Sequence, residues 1–90
     1  MGKEIIKVDV MLLMRKSCYE CKEVLRILSI YMKDKTHINF TIIDLDDDNN
    51  FKRKHSSITP SIWVNDKMWF AGRVNIERFD DKINEMIRIK

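Results

Sequence analysis

Ninety residues, 44% of them hydrophobic and 34% charged, suffice for one small domain with a modest core, and this composition excludes a disordered segment. Lysine and arginine number 17 against 14 acids, for a net charge of +3. The basic residues run from Lys3 to Lys90 without a dense patch, which sets nucleic-acid binding aside.

Residues 5 to 14, "IIKVDVMLLM", are rich in aliphatic side chains and end in a polar "RKS". That pattern predicts a strand buried on both faces, central in its sheet. Cys18, Cys21, Val24, Leu25, Leu28, Tyr31 and Met32 then recur at spacings of three and four, predicting an amphipathic helix to about Lys35 with Ser17 as its N-cap. Ile38, Phe40 and Ile42 alternate in a second strand over 38–45, stopped by a run of acids and asparagines. Strand, helix and strand in this order make a right-handed crossover with parallel strands. A short helix over about 49–56 is expected next. Two short β-type runs flank Asn65 and Asp66, a turn pair suited to a hairpin, with Lys67 where the strongest signal has glycine. Ile76, Phe79, Ile83, Met86 and Ile87 mark one face of a closing helix.

The resulting order is β-α-β-α-β-β-α, an α/β domain with a four-stranded mixed sheet flanked by helices. Its two cysteines, in "CYEC" at 18–21, fall at the C-terminal end of the first strand, where open α/β sheets form their sites. They also begin a helix, where unpaired N–H groups and the positive dipole end favour a thiolate. A pair of this spacing serves redox chemistry or metal binding. No apolar run approaches the length of a membrane span, and no export signal with a cleavage site opens the chain, so a cytoplasmic protein without membrane attachment is expected. Structural disulfides are rare there, which disfavours a mere staple. Two thiolates alone leave a zinc tetrahedron incomplete, and His37 and His55 lack zinc-finger spacing from the pair. A metal-binding or metal-chaperone module holding zinc, copper(I) or a shared iron–sulfur site is the alternative to redox work.

Three segments in order, "CYEC", "ITPSIWV" with the lone proline Pro60, and "KMWFAGRV" before the last helix, give the chain a likeness over nearly all its length. It resembles the thioredoxin and glutaredoxin superfamily, most nearly the small microbial, often archaeal, proteins of glutaredoxin size with thioredoxin-like activity. Where glutaredoxins place Gly-Gly and an acidic pair, this chain has Ala71, Gly72, Arg73, Val74 and Asn75. The resemblance implies a single thioredoxin-like domain over residues 1–90 and a cis Thr59–Pro60 bond beside the cysteines. It also implies that Thr59, Pro60 and Tyr19 contact substrate, with the Thr59 backbone receiving an extended segment by strand-like hydrogen bonds.

Thiol–disulfide exchange needs two close thiols of unequal reactivity. Cys18, at the helix start near Arg15, Lys16 and Lys22, is expected to be the more acidic and exposed thiol and the nucleophile. Cys21, in register with Val24, Leu25 and Leu28, is expected to face inward and resolve the mixed disulfide. Arg15 and Lys16 tune the thiol one way, and the Glu20 carboxylate opposes them, for an intermediate acidity. The expected function is reduction of protein or small-molecule disulfides by a monomer. No cofactor or metal is required beyond the redox-active Cys18–Cys21 disulfide. Its partners are protein disulfides and a reductase, or glutathione as co-substrate.

Overall fold

A computed structural model of the chain describes residues 7–47 and 58–88. The expected helix over 49–56 lies outside the described residues.

The first strand, β1 (Val8–Met14), carries Val8, Val10, Leu12 and Met14 on one face. All four join a core cluster with Cys21, Val24 and Leu28 of helix α1 (Tyr19–Met32). The side-chain period of two in the strand meets a three-to-four period in the helix, as burial of both requires. On the opposite face of β1 Leu13 is also fully buried, Met11 half-buried and Asp9 exposed, so the expected burial on both faces holds only toward the end of the strand.

Two expectations at the ends of α1 are corrected. The N-cap is Cys18, not Ser17. Cys18 has the extended backbone of a cap, with φ −92° and ψ 119°, and its Sγ accepts the Cys21 N–H at 3.0 Å. The helix also stops at Met32 rather than near Lys35. There the Lys33 N–H donates to the Ile30 carbonyl and the Lys35 N–H to the Met32 carbonyl, i to i+3 bonds that tighten the last turn. This turn delivers the chain to β2 (Ile38–Asp44), which pairs parallel to β1 from Val8 opposite Ile38 to Met14 opposite Asp44.

On β2 the expected alternation holds only in part. Ile38 is buried and Phe40 half-buried, whereas Ile42 is exposed. The described sheet runs in the order β2-β1-β3-β4, so β2 is an edge with less to cover it.

The hairpin forms where Asn65 and Asp66 predict it, between β3 (Ser61–Val64) and β4 (Lys67–Ala71). Both turn residues adopt positive φ, 48° and 69°. This left-handed pair matches the twist of the flanking strands, and asparagine and aspartate tolerate it without glycine. Asn65 fastens the turn to β1, donating its N–H to the Asp9 carbonyl at 2.9 Å and accepting the Asp9 N–H on Oδ1 at 3.0 Å.

Pairing of β3 with β4 slips between Ile62–Phe70 and Trp63–Met68, which leaves Trp69 as an extra residue. A bulge of this kind lets two successive residues approach one core element. Both Trp69 and Phe70 accordingly pack near Phe79 of the last helix, α2 (Ile76–Arg88), with ring centroids 5.9 and 6.2 Å away. Phe79 is fully buried and takes a third ring, Tyr31 of α1, edge-on at 5.5 Å. The two described helices thus share one face of the sheet and join there through Phe79.

Candidate active site

Antiparallel pairing sets Ser61 at the start of β3 opposite Leu13, near the end of β1, and Ala71 at the end of β4 opposite Ser61. Parallel pairing adds the end of β2. The β1–α1 loop with its cysteines, the Thr59–Pro60 turn, the acids after β2 and the β4–α2 connection therefore meet at one end of the sheet.

Within the first of these, the Cys18 N–H donates to the Arg15 carbonyl and the Lys22 N–H to the Cys18 carbonyl. A tight turn thus passes directly into the helix. Cys18 and Cys21 form a disulfide, with Cα atoms 5.1 Å apart. Cys18 is partly exposed and Cys21 is fully buried in the core cluster, so the two sulfurs occupy unlike surroundings. The Cys21 N–H aimed at Cys18 Sγ is one of the orphan donors of a helix start and favours negative charge on that sulfur.

The Thr59–Pro60 bond is cis, as the resemblance implies. Pro60 is buried and Thr59 half-buried, and the Pro60 carbonyl accepts the Gly72 N–H at 2.8 Å. Gly72 has φ +90°, a conformation that only glycine adopts readily. It hands the chain to Arg73 and Val74, after which Asn75 caps α2 by accepting the Arg78 N–H on Oδ1.

Ser61 is a feature that the sequence reading missed. It is the buried polar residue of the described core, donating from Oγ to the Ile58 carbonyl at 3.0 Å and accepting the Trp63 indole N–H at 2.9 Å. The first of these bonds spans the Thr59–Pro60 turn, and the second ties its anchor to β3.

Of the residues expected to tune Cys18, Arg15 bonds Asp46 at 2.8 Å, and Lys16 lies 3.9 Å from Asp44 and 3.8 Å from Asp47. Their positive charge is shared with three carboxylates rather than directed at the sulfur alone. Glu20 in turn faces Arg73, 3.7 Å away, a counter-charge that the sequence reading did not supply. Tyr19 stands 75% exposed beside the disulfide. Tyr19 and Glu20 also line a groove of about 390 Å³ with Glu23, Val24, Ile27, Arg73 and Val74. Among the described residues no group of three or more His, Cys, Asp or Glu could hold a metal ion. None of the described helices is long and apolar enough to cross a membrane.

Residues 6–87 match the Thioredoxin domain family. No curated protein matches the chain. Among solved structures it is similar to thioredoxin-2 of the malaria parasite protein secretion machinery, with TM-score 0.75 and 21% identity over 94% of this chain and 88% of that one. Thioredoxin of Schistosoma mansoni gives TM-score 0.72 at 20% identity, over 92% and 80% of the two chains. The germline-specific thioredoxin Deadhead of Drosophila melanogaster gives 0.67 at 19%, over 88% and 80%. Identities this low speak for the fold alone. The family match covers nearly all of the chain, and a Cys18–Cys21 pair in this domain supports a thiol–disulfide redox role. The chain belongs to the thioredoxin domain family.

Proposed function

We propose that the chain is a dithiol oxidoreductase that reduces disulfides in proteins. The observation that supports this most is the asymmetry of one motif, a partly exposed cysteine at a helix N-terminus and a fully buried one a turn later. The Cys18 thiolate attacks one sulfur of the substrate, forming a mixed disulfide and releasing the other substrate sulfur as a thiolate that takes a proton from water. Cys21 then gives up its proton and attacks Cys18 Sγ. This closes the Cys18–Cys21 disulfide and releases the second substrate sulfur as a thiol. Two electrons have moved to the substrate, and an external dithiol, a disulfide reductase or two molecules of glutathione restores them.

Thr59, with its backbone next to Pro60, receives the extended substrate segment, and Tyr19 contacts it from the motif. Arg15 and Lys16, together with Glu20, set the field around the nucleophile. The chain works as a cytoplasmic monomer in this reading and needs no bound cofactor.

The test is a pair of variants on a protein disulfide substrate. Cys18→Ser is expected to abolish reduction, and Cys21→Ser to accumulate a mixed disulfide through Cys18, because only the attacking thiol opens the bond. Equal residual turnover in the two variants excludes the assignment.

A further inference from the structure

The groove beside the disulfide has a charge pattern of its own. On a chain with net charge +3, its lining carries two carboxylates, Glu20 and Glu23, against one guanidinium, Arg73. The carboxylates lie three residues apart on α1, on one helix face. Their side chains are 50% and 45% exposed, whereas the cations that face them project to solvent, Arg73 at 87% and Arg26 at 61%. Arg26 takes one oxygen of Glu23 at 3.1 Å, and Arg73 approaches Glu20 only to 3.7 Å, beyond hydrogen-bond reach. Ion pairs this exposed contribute little and exchange readily. The lining also includes aliphatic Val24, Ile27 and Val74 and the exposed Tyr19. An alkyl stem ending in a cation suits this lining: methylenes against the aliphatic side chains and the charge beside the carboxylates.

We propose that this groove is a subsite for a lysine or arginine side chain flanking the target cysteine of the substrate polypeptide, with Glu20 and Glu23 as its specificity-determining residues and Arg73 as the intramolecular cation that the substrate displaces. The proposal rests on the reduction of protein disulfides argued above. It has a consequence for the reaction. Glu20 lies within the motif, and a substrate cation seated on it offsets the negative charge that opposes the Cys18 thiolate. A basic substrate segment therefore assists the attack made on it.

The experiment uses the reduced full chain and three disulfide-containing peptides, identical except that the residues flanking the target cysteine are lysine, glutamine or glutamate. Wild type is expected to give kcat/KM in the order lysine, glutamine, glutamate, with about fivefold between the first two at low salt. Salt compresses that ratio. The double variant Glu20→Gln/Glu23→Gln flattens it, and Arg73→Gln, by removing the competing cation, widens it. A change of fold would alter all three peptides alike and leave the ratio in place. Equal rates for the three peptides, a preference for glutamate, or a lysine preference that survives the double substitution overturns the subsite while disulfide reduction stands. Reduction of none of the peptides overturns the oxidoreductase reading and the subsite with it.

Discussion

The Tyr31 hydroxyl donates a 2.6 Å hydrogen bond to Asp80 Oδ1, linking the last turn of α1 to the second turn of α2 across the edge-on packing of Tyr31 against Phe79. Burial, with the Asp80 carboxylate beside it, pushes the Tyr31 phenol well above its ordinary value. Tyr31→Phe keeps the ring and removes the bond, at an expected loss of about 1 kcal/mol near neutral pH. The pH dependence has a definite sign. A phenol whose folded pKa is raised contributes stability that is fully present below its unfolded value of about 10 and lost as pH rises through the folded value. Urea unfolding at neutral pH and in the alkaline range checks this, since the gap between wild type and Tyr31→Phe should shrink in alkali.

Glu20 and Arg73 face each other beside the nucleophile with opposite charges, so their removal should act in opposite directions. Glu20→Gln is expected to move the pH midpoint of Cys18 alkylation down and Arg73→Gln to move it up, each by a few tenths of a unit, because both side chains are well screened. The measurement is iodoacetamide reactivity of the reduced protein against pH, with Cys21→Ser as background. Shifts in the same direction would disprove this electrostatic arrangement.

Ser61→Ala removes two partly buried hydrogen bonds, one to the Ile58 carbonyl and one from the Trp63 indole. A loss of about 1–3 kcal/mol is expected from the denaturation midpoint. Protein-disulfide reduction should fall further than Cys18 alkylation, because the Ser61–Ile58 bond spans the Thr59–Pro60 turn and not the helix start.

Gly72→Ala tests the other anchor of that turn. A Cβ added at Gly72 meets nothing within 4 Å, so the expected cost of about 1–2 kcal/mol comes from the left-handed backbone alone. A loss well above that range would show that the Gly72–Pro60 hydrogen bond had also been broken.

The faces of α1 and α2, the parallel β1–β2 pairing and the hairpin at Asn65–Asp66 were legible because each follows from a local period or a turn pair. The cysteine motif at the end of β1 was legible for the same reason. Ser17 stood out as the cap because hydroxyls dominate that position, and sequence alone does not reveal a sulfur drawn into the role by the bonding around it. The partners of Arg15 and Lys16 depended on register: Asp44 comes beside that loop only when Met14 pairs with it. Arg73 and Glu20 are 53 positions apart, and no periodicity within either segment joins them. Ser61 reads as an ordinary residue opening a strand, and only the depth of the Thr59–Pro60 turn makes its hydroxyl necessary.

Because Cys18 Sγ caps α1 by accepting the Cys21 N–H, the atom expected to carry the chemistry is also part of the scaffold. Substitutions at this position are therefore not equivalent probes. Serine keeps an acceptor where the helix needs one and isolates the missing thiol chemistry. Alanine removes the acceptor as well, with about 0.5–2 kcal/mol of helix stability at stake. An inactive Cys18→Ala protein would leave frayed structure and lost reactivity confounded, and the thiol's contribution is read from the serine variant instead.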